Sequence, residues 1–85
     1  MIYRVRFAKR AAKQFQALPK QEQERIQPKI DALAAEPRPK GIVKLSGEEN
    51  LYRIRVGNYR ILYAIEDDQL LVLVVTVGHR RDVYR

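Results

Sequence analysis

Eighty-five residues make one small domain, and the 46% that are apolar can fill a single core but not a second. With no cysteine, a disulfide framework and thiolate zinc sites are excluded. Seventeen Lys and Arg against ten Asp and Glu leave a formal charge of +7, which favours a polyanionic partner, nucleic acid first, although such a charge also serves plain solubility.

From Ile2 to Phe7, Tyr3, Val5 and Phe7 alternate with Ile2, Arg4 and Arg6, the period of a strand with one buried face. Arg4, Arg6, Lys9, Arg10 and Lys13 interrupt the opening twenty residues too often for an export signal or membrane span, so the cytosol is the expected compartment. The spacing then becomes Phe7, Ala11, Phe15 and Leu18, one face of a helix that ends near Leu18. Pro19 suits the first turn of a second helix, in which Ile26, Ile30, Leu33 and Ala34 recur at helical spacing up to about Ala35. Pro28 inside that pattern predicts a kink or two shorter helices.

Glu36-Pro37-Arg38-Pro39-Lys40-Gly41 cannot continue a helix and reads as a loop. Residues 42–50 are mixed, with Leu45 docking on the core and Ser46 to Asn50 forming an exposed turn. Three β-rich runs follow, Leu51 to Val56, Tyr59 to Ile65 and Leu70 to Val77, joined by two-residue turns at Gly57-Asn58 and Asp67-Asp68. The last is apolar on both faces, which predicts a central strand. The expected fold is α+β, a single domain over residues 1–85 in the order β-α-α-β-β-β, with an antiparallel sheet packed on two N-terminal helices.

A two-residue loop at Gly57-Asn58 fixes the pairing of its strands: Val56 opposite Tyr59, Arg55 opposite Arg60, Arg53 opposite Leu62. Arg53, Arg55 and Arg60 then share one face, and Tyr52, Ile54, Val56, Tyr59, Ile61 and Tyr63 the other. Like charges directly across a strand pair are destabilising, so Arg55 facing Arg60 needs a reason. Exposed charge that protects a sheet edge is one; for three arginines on one face, a bound phosphate, gripped by planar guanidiniums, is the better one. His79 and the tail Arg80-Arg81-Asp82-Val83-Tyr84-Arg85 follow the last strand and are expected beside this cluster. Further candidate RNA contacts are Lys40, Lys44 and Arg81. No cofactor is expected: with one histidine and no cysteine a metal centre would need unusual ligands, and Glu66-Asp67-Asp68 has the spacing of a solvated turn.

Tyr52-Arg53-Ile54-Arg55-Val56-Gly57-Asn58-Tyr59-Arg60-Ile61-Leu62-Tyr63 and Val77-Gly78-His79-Arg80-Arg81-Asp82-Val83-Tyr84 resemble the RelE branch of the RelE/ParE toxin superfamily, over nearly the whole chain. The resemblance implies a RelE-like fold and a toxin that cuts messenger RNA at the ribosome through attack of the 2′-hydroxyl on the adjacent phosphorus. It implies a cognate RelB-like antitoxin that holds the otherwise monomeric toxin inactive in a hetero-oligomer; no membrane partner is expected. Residue by residue, Arg53 and Arg55 match basic positions, Arg60 and Arg80 phosphate-stabilising arginines, and Tyr84 a tyrosine that stacks on or orients the substrate.

Pro28 departs from the family's usual second helix, and arginine stands at 53 and 55 where relatives often carry lysine. An arginine is a poor general base near neutral pH, which leaves His79 as the candidate acid or base. Two other readings stay open: a ParE-like inhibitor of DNA gyrase without nuclease activity, and a catalytically inactive RNA-binding homologue.

Overall fold

A computed structural model describes residues 2–45, 47 and 50–79. The first strand, β1 (Arg4–Phe7), leads into α1 (Lys9–Gln16) and α2 (Lys20–Ala32). A short β2 (Val43–Lys44) precedes the long strands β3 (Leu51–Val56), β4 (Tyr59–Glu66) and β5 (Leu71–His79). The sheet order is β1-β5-β4-β3-β2, so the strand that is apolar on both faces lies inside the sheet, as its sequence predicts. The sheet is mixed: β2, β3, β4 and β5 pair antiparallel in succession, whereas β1 lies parallel to β5. That pairing corrects the expectation of a wholly antiparallel sheet. A parallel neighbour needs a long crossover, and α1, α2 and the other strands supply it here.

Both helices cover one face. Ala11, Ile26, Ile30 and Leu33 meet Val56, Ile61, Tyr63, Ile65, Val72, Val74 and Val77 in a core from which water is almost wholly excluded. Pro28 neither ends nor splits α2. Both Pro28 and Glu24, whose carbonyl Pro28 cannot serve, are exposed, so the missing hydrogen bond opens to water rather than to the core. The helix stops at Ala32, three residues short of the expected end, and turns carry the chain to Ala35.

The Gly57-Asn58 loop is the predicted two-residue hairpin. Positive φ at Gly57 (+60°) with none at Asn58 fits the type II′ turn, which wants glycine first. A Cβ there would also sit 2.9 Å from an Arg25 guanidinium nitrogen. The β4–β5 connection is longer than predicted: Asp67–Gln69 form a 3₁₀ turn, Leu70 closes it at a φ of 51°, and β5 begins at Leu71. No described helix is long and apolar enough to cross a membrane.

Candidate nucleic-acid interface

The hairpin register is the one the loop length dictates: Arg55 pairs with Arg60, Arg53 with Leu62 and Val56 with Tyr59. Val56, Ile61 and Tyr63 are buried against the helices, and Tyr52, Ile54 and Tyr59 pack on the same core. Strand alternation therefore turns Arg53, Arg55 and Arg60 to the open face. Arg55 is exposed, whereas Arg53 and Arg60 are half-buried, and the Arg60 Nε is itself shielded from water. Arg60 is the more buried of the opposed pair. Its neighbour on β5 is Gly78, which brings no side chain to compete for the space.

That neighbour is set by an irregularity in β5. The β4–β5 register shifts between Leu62 and Tyr63: Leu62 pairs with Thr76 but Tyr63 with Val74, which leaves Val75 as an extra residue. One inserted residue reverses the parity of everything after it. Val77 turns into the core, Gly78 to the arginine face and His79 back to the helix side, where it pairs with Tyr59. The His79 and Tyr59 rings meet edge to face at 5.7 Å. The expectation that His79 joins the arginine cluster is thus corrected: its side chain lies on the opposite face. At the bulge, the Val77 N–H donates to Gln14 Oε1 (2.9 Å), so α1 fixes the end of β5 beyond the reach of β1.

Two of the remaining candidates lie apart from the arginines or at their margin. Lys44 pairs with Tyr52 and so belongs to the other side of the sheet. Lys40 and Arg55 line a shallow cavity of about 300 Å³ between the end of α2 and β3. Arg80, Arg81 and Tyr84 lie outside the described residues. Two arginines that local sequence does not assign to this surface are brought to it by the parallel pairing. Arg4 aligns with Leu71 and Arg6 with Leu73, both on the open face, while Val5 and Phe7 pack on the core. Alternation showed that Arg4 and Arg6 face water; only the register of β1 on β5 shows which water-facing surface they share.

At the other end of the hairpin a polar clasp holds the loop before β2. Arg38 grips Asp67 with two hydrogen bonds of 2.9 and 3.1 Å, the Tyr3 hydroxyl donates to the same carboxylate (2.7 Å), and the guanidinium lies 5.4 Å from the centre of the Tyr52 ring. Arg38, and after it Tyr3, hold the Asp67 carboxyl down at about 2. Beneath them the buried Tyr63 hydroxyl donates to the Pro37 carbonyl (2.9 Å), and burial pushes that phenol up to about 12. Of Glu66-Asp67-Asp68, the two aspartates lie in the turn, as expected, whereas Glu66 still ends β4; Asp67 is engaged by Arg38 and Glu66 by Asn50.

Residues 5–84 match the family described as the ParE toxin of the type II toxin-antitoxin system, parDE. A putative RelE-like toxin protein from Escherichia coli is 35% identical, the match covering 99% of this chain and 92% of that one. The mRNA interferase toxin RelE of Escherichia coli K12 is 30% identical over 94% of this chain and 85% of its own. Among solved structures, a chain of the archaeal RelE–RelB complex from Pyrococcus horikoshii OT3 superimposes with a TM-score of 0.83 at 32% identity, covering 98% of this chain and all of that one.

Proposed function

The chain belongs to the ParE toxin family of type II toxin-antitoxin systems and, within the RelE/ParE superfamily, to its RelE-type branch; on that premise we propose that it is an mRNA interferase, an endoribonuclease that arrests translation. The observation that carries this reading is the open-face cluster of Arg53, Arg55 and Arg60, with Arg60 half-buried and flanked by the bare backbone of Gly78.

Cleavage on such a surface takes the following course. The 2′-oxygen of the messenger bonds to the adjacent phosphorus, the bond to the 5′-oxygen breaks, the proton of the 2′-hydroxyl is taken up and one is delivered to the leaving oxygen. Negative charge grows on the non-bridging phosphate oxygens, and fixed guanidiniums stabilise that charge more than they stabilise the ground state. Arg60, held by its surroundings, is the main stabiliser, and the exposed Arg55 with Arg53 positions the backbone on either side. Arg80 is proposed as a further phosphate contact and Tyr84 as a stacking group by their match to the family pattern, with Arg81 and Lys40 as RNA contacts at the margin. Because His79 faces away, proton transfer runs through water or through groups of the ribosome, and cleavage is proposed to depend on the ribosome for that reason. A RelB-like antitoxin is the partner that restrains the toxin, as in the RelE–RelB complexes to which the fold is similar. The cytoplasm, where messenger is translated, is the proposed site of action.

Purified translation of a defined messenger, with primer extension to reveal new 5′ ends and a parallel gyrase supercoiling assay, tests this directly. The parent protein is expected to cut and to leave gyrase untouched. Arg60→Ala is expected to lose about 100- to 1,000-fold in cleavage rate, the usual cost of removing one donor from a developing oxyanion. Gyrase inhibition without cleavage, or equal cleavage by Arg60→Ala, would overturn the reading.

A further inference from the structure

We infer that Arg4 and Arg6 form a second phosphate-contacting strip, which holds the same RNA strand at a distance from the point of cleavage. This rests on the mRNA interferase reading and adds to it a binding surface on another strand. Arg4 and Arg6 are exposed and project from β1 to the sheet face that no described helix covers. Across that face run Arg6, Leu73 and Ala64 in one row and Arg4, Leu71 and Glu66 in the next. Arg60 lies four positions along β4 from Ala64. With about 4.8 Å between strands and about 3.3 Å per residue, the Cα atoms of Arg6 and Arg60 are roughly 16 Å apart, and those of Arg4 and Arg60 roughly 22 Å.

These separations decide what the two arginines can do. They exceed the Debye length of about 8 Å at physiological salt, so Arg4 and Arg6 exert little field on a phosphate reacting beside Arg60. Their contribution falls on binding and leaves the chemical step alone. The floor between the two basic groups is aliphatic, with Leu62, Leu71 and Leu73 half-buried, and offers an apolar surface to bases while the flanking phosphates reach guanidiniums at either end. The acidic residue in that row, Glu66, is engaged by the Asn50 amide. Two guanidiniums on one strand, continuous through an apolar floor with three more, complement a polyanion with charges at regular intervals, and single-stranded RNA is that ligand.

The test uses fluorescently labelled 2′-O-methyl RNA, which the toxin can bind but not cut. One oligonucleotide is short enough to occupy only the Arg53, Arg55 and Arg60 corner, and another is long enough to span the face. For the long RNA, Arg4→Gln/Arg6→Gln is expected to flatten the dependence of log affinity on log salt by roughly 1.4, two contacts at about 0.7 each. The short RNA keeps the parent slope, and single-turnover cleavage at saturating messenger keeps the parent rate. Arg4→Lys/Arg6→Lys, which retains the charge, keeps most of the slope, while a thermal melt shows that both variants fold. An unchanged slope for the long RNA, or equal weakening of both oligonucleotides, overturns the inference. So does weaker binding of an acidic antitoxin peptide at parental RNA affinity, or weaker binding to ribosomes without messenger alone. Parent protein that binds neither oligonucleotide and cuts no messenger defeats the underlying reading, a result distinct from failure of the strip alone.

Discussion

Replacing Arg55 with methionine separates the function of the arginine cluster from its cost to the fold. Arg55 and Arg60 are direct partners across β3 and β4, where Cβ atoms lie about 5 Å apart and like charges destabilise by roughly 0.2–1 kcal/mol. Methionine keeps an unbranched apolar stem along the sheet edge and removes the charge. For a domain of this size 1 kcal/mol moves the Tm by about 4–8 °C, so Arg55→Met is expected to melt roughly 1–8 °C above the parent at low salt. Arg55 is exposed, so the gain sits at the lower end and fades in molar salt, where the Debye length is about 3 Å. The same variant is expected to cut messenger more slowly and to gain less thermal stability from added RNA than the parent does, because it offers the phosphates one guanidinium fewer. Circular dichroism melts at two salt concentrations, with and without 2′-O-methyl RNA, measure both effects. A correctly folded Arg55→Met that melts below the parent at low salt refutes the reasoning: the juxtaposed charges would then carry no cost in the free protein, and no anion would be needed to explain them.

His79→Ala is expected to cleave at the parent rate with the same pH profile, since the bulge at Val75 turns the ring toward Tyr59; a large loss of single-turnover rate together with a flattened pH profile would restore the histidine to the reacting centre. Tyr63→Phe leaves the buried Pro37 carbonyl without its donor and is expected to cost about 1–2 kcal/mol, a Tm fall of roughly 5–15 °C in a thermal melt. Asp67 titrates near 2 in the folded chain against an ordinary 3.8, so its contribution is complete above about pH 4 and is lost as pH falls through 2. Asp67→Asn therefore removes that part of the acid dependence from urea midpoints measured between about pH 5 and 2, and because the Arg38–Asp67 pair is about half exposed the difference is expected to be small.

How much of this was legible in the sequence follows from the range of the interactions involved. The three-arginine face depends on one two-residue loop and the alternation of two strands, both local, and it formed as the residues dictate. The interior place of β5 was legible from its two apolar faces. The position of His79 was not: Leu71 to Val75 alternate regularly between the faces, and extending that alternation puts His79 among the arginines, whereas the extra residue at Val75 reverses it, with Val77 paired to β4 on one side and bonded to Gln14 on the other. Nor could the pattern Ile2 to Phe7 say that Arg4 and Arg6 lie on the same open face as Arg60, since that follows from a parallel pairing with residues at the far end of the chain. The polar clasp is of the same kind: Tyr3, Arg38, Tyr52 and Asp67 come from four separate segments.

The parallel seam between β1 and β5 also governs how the protein comes into being. β1 is made well before its sheet partner, so during synthesis Arg4 to Phe7 wait, without a ladder, for Leu71 to Val74 to leave the ribosome. Such distant pairing makes folding slow to complete, because loop-closure entropy must be overcome before the contacts that repay it can form. Gly78, which lies beside Arg60, arrives on that same last strand. The surface proposed to cut messenger is therefore incomplete on a nascent chain until β5 has emerged from the ribosome that makes it.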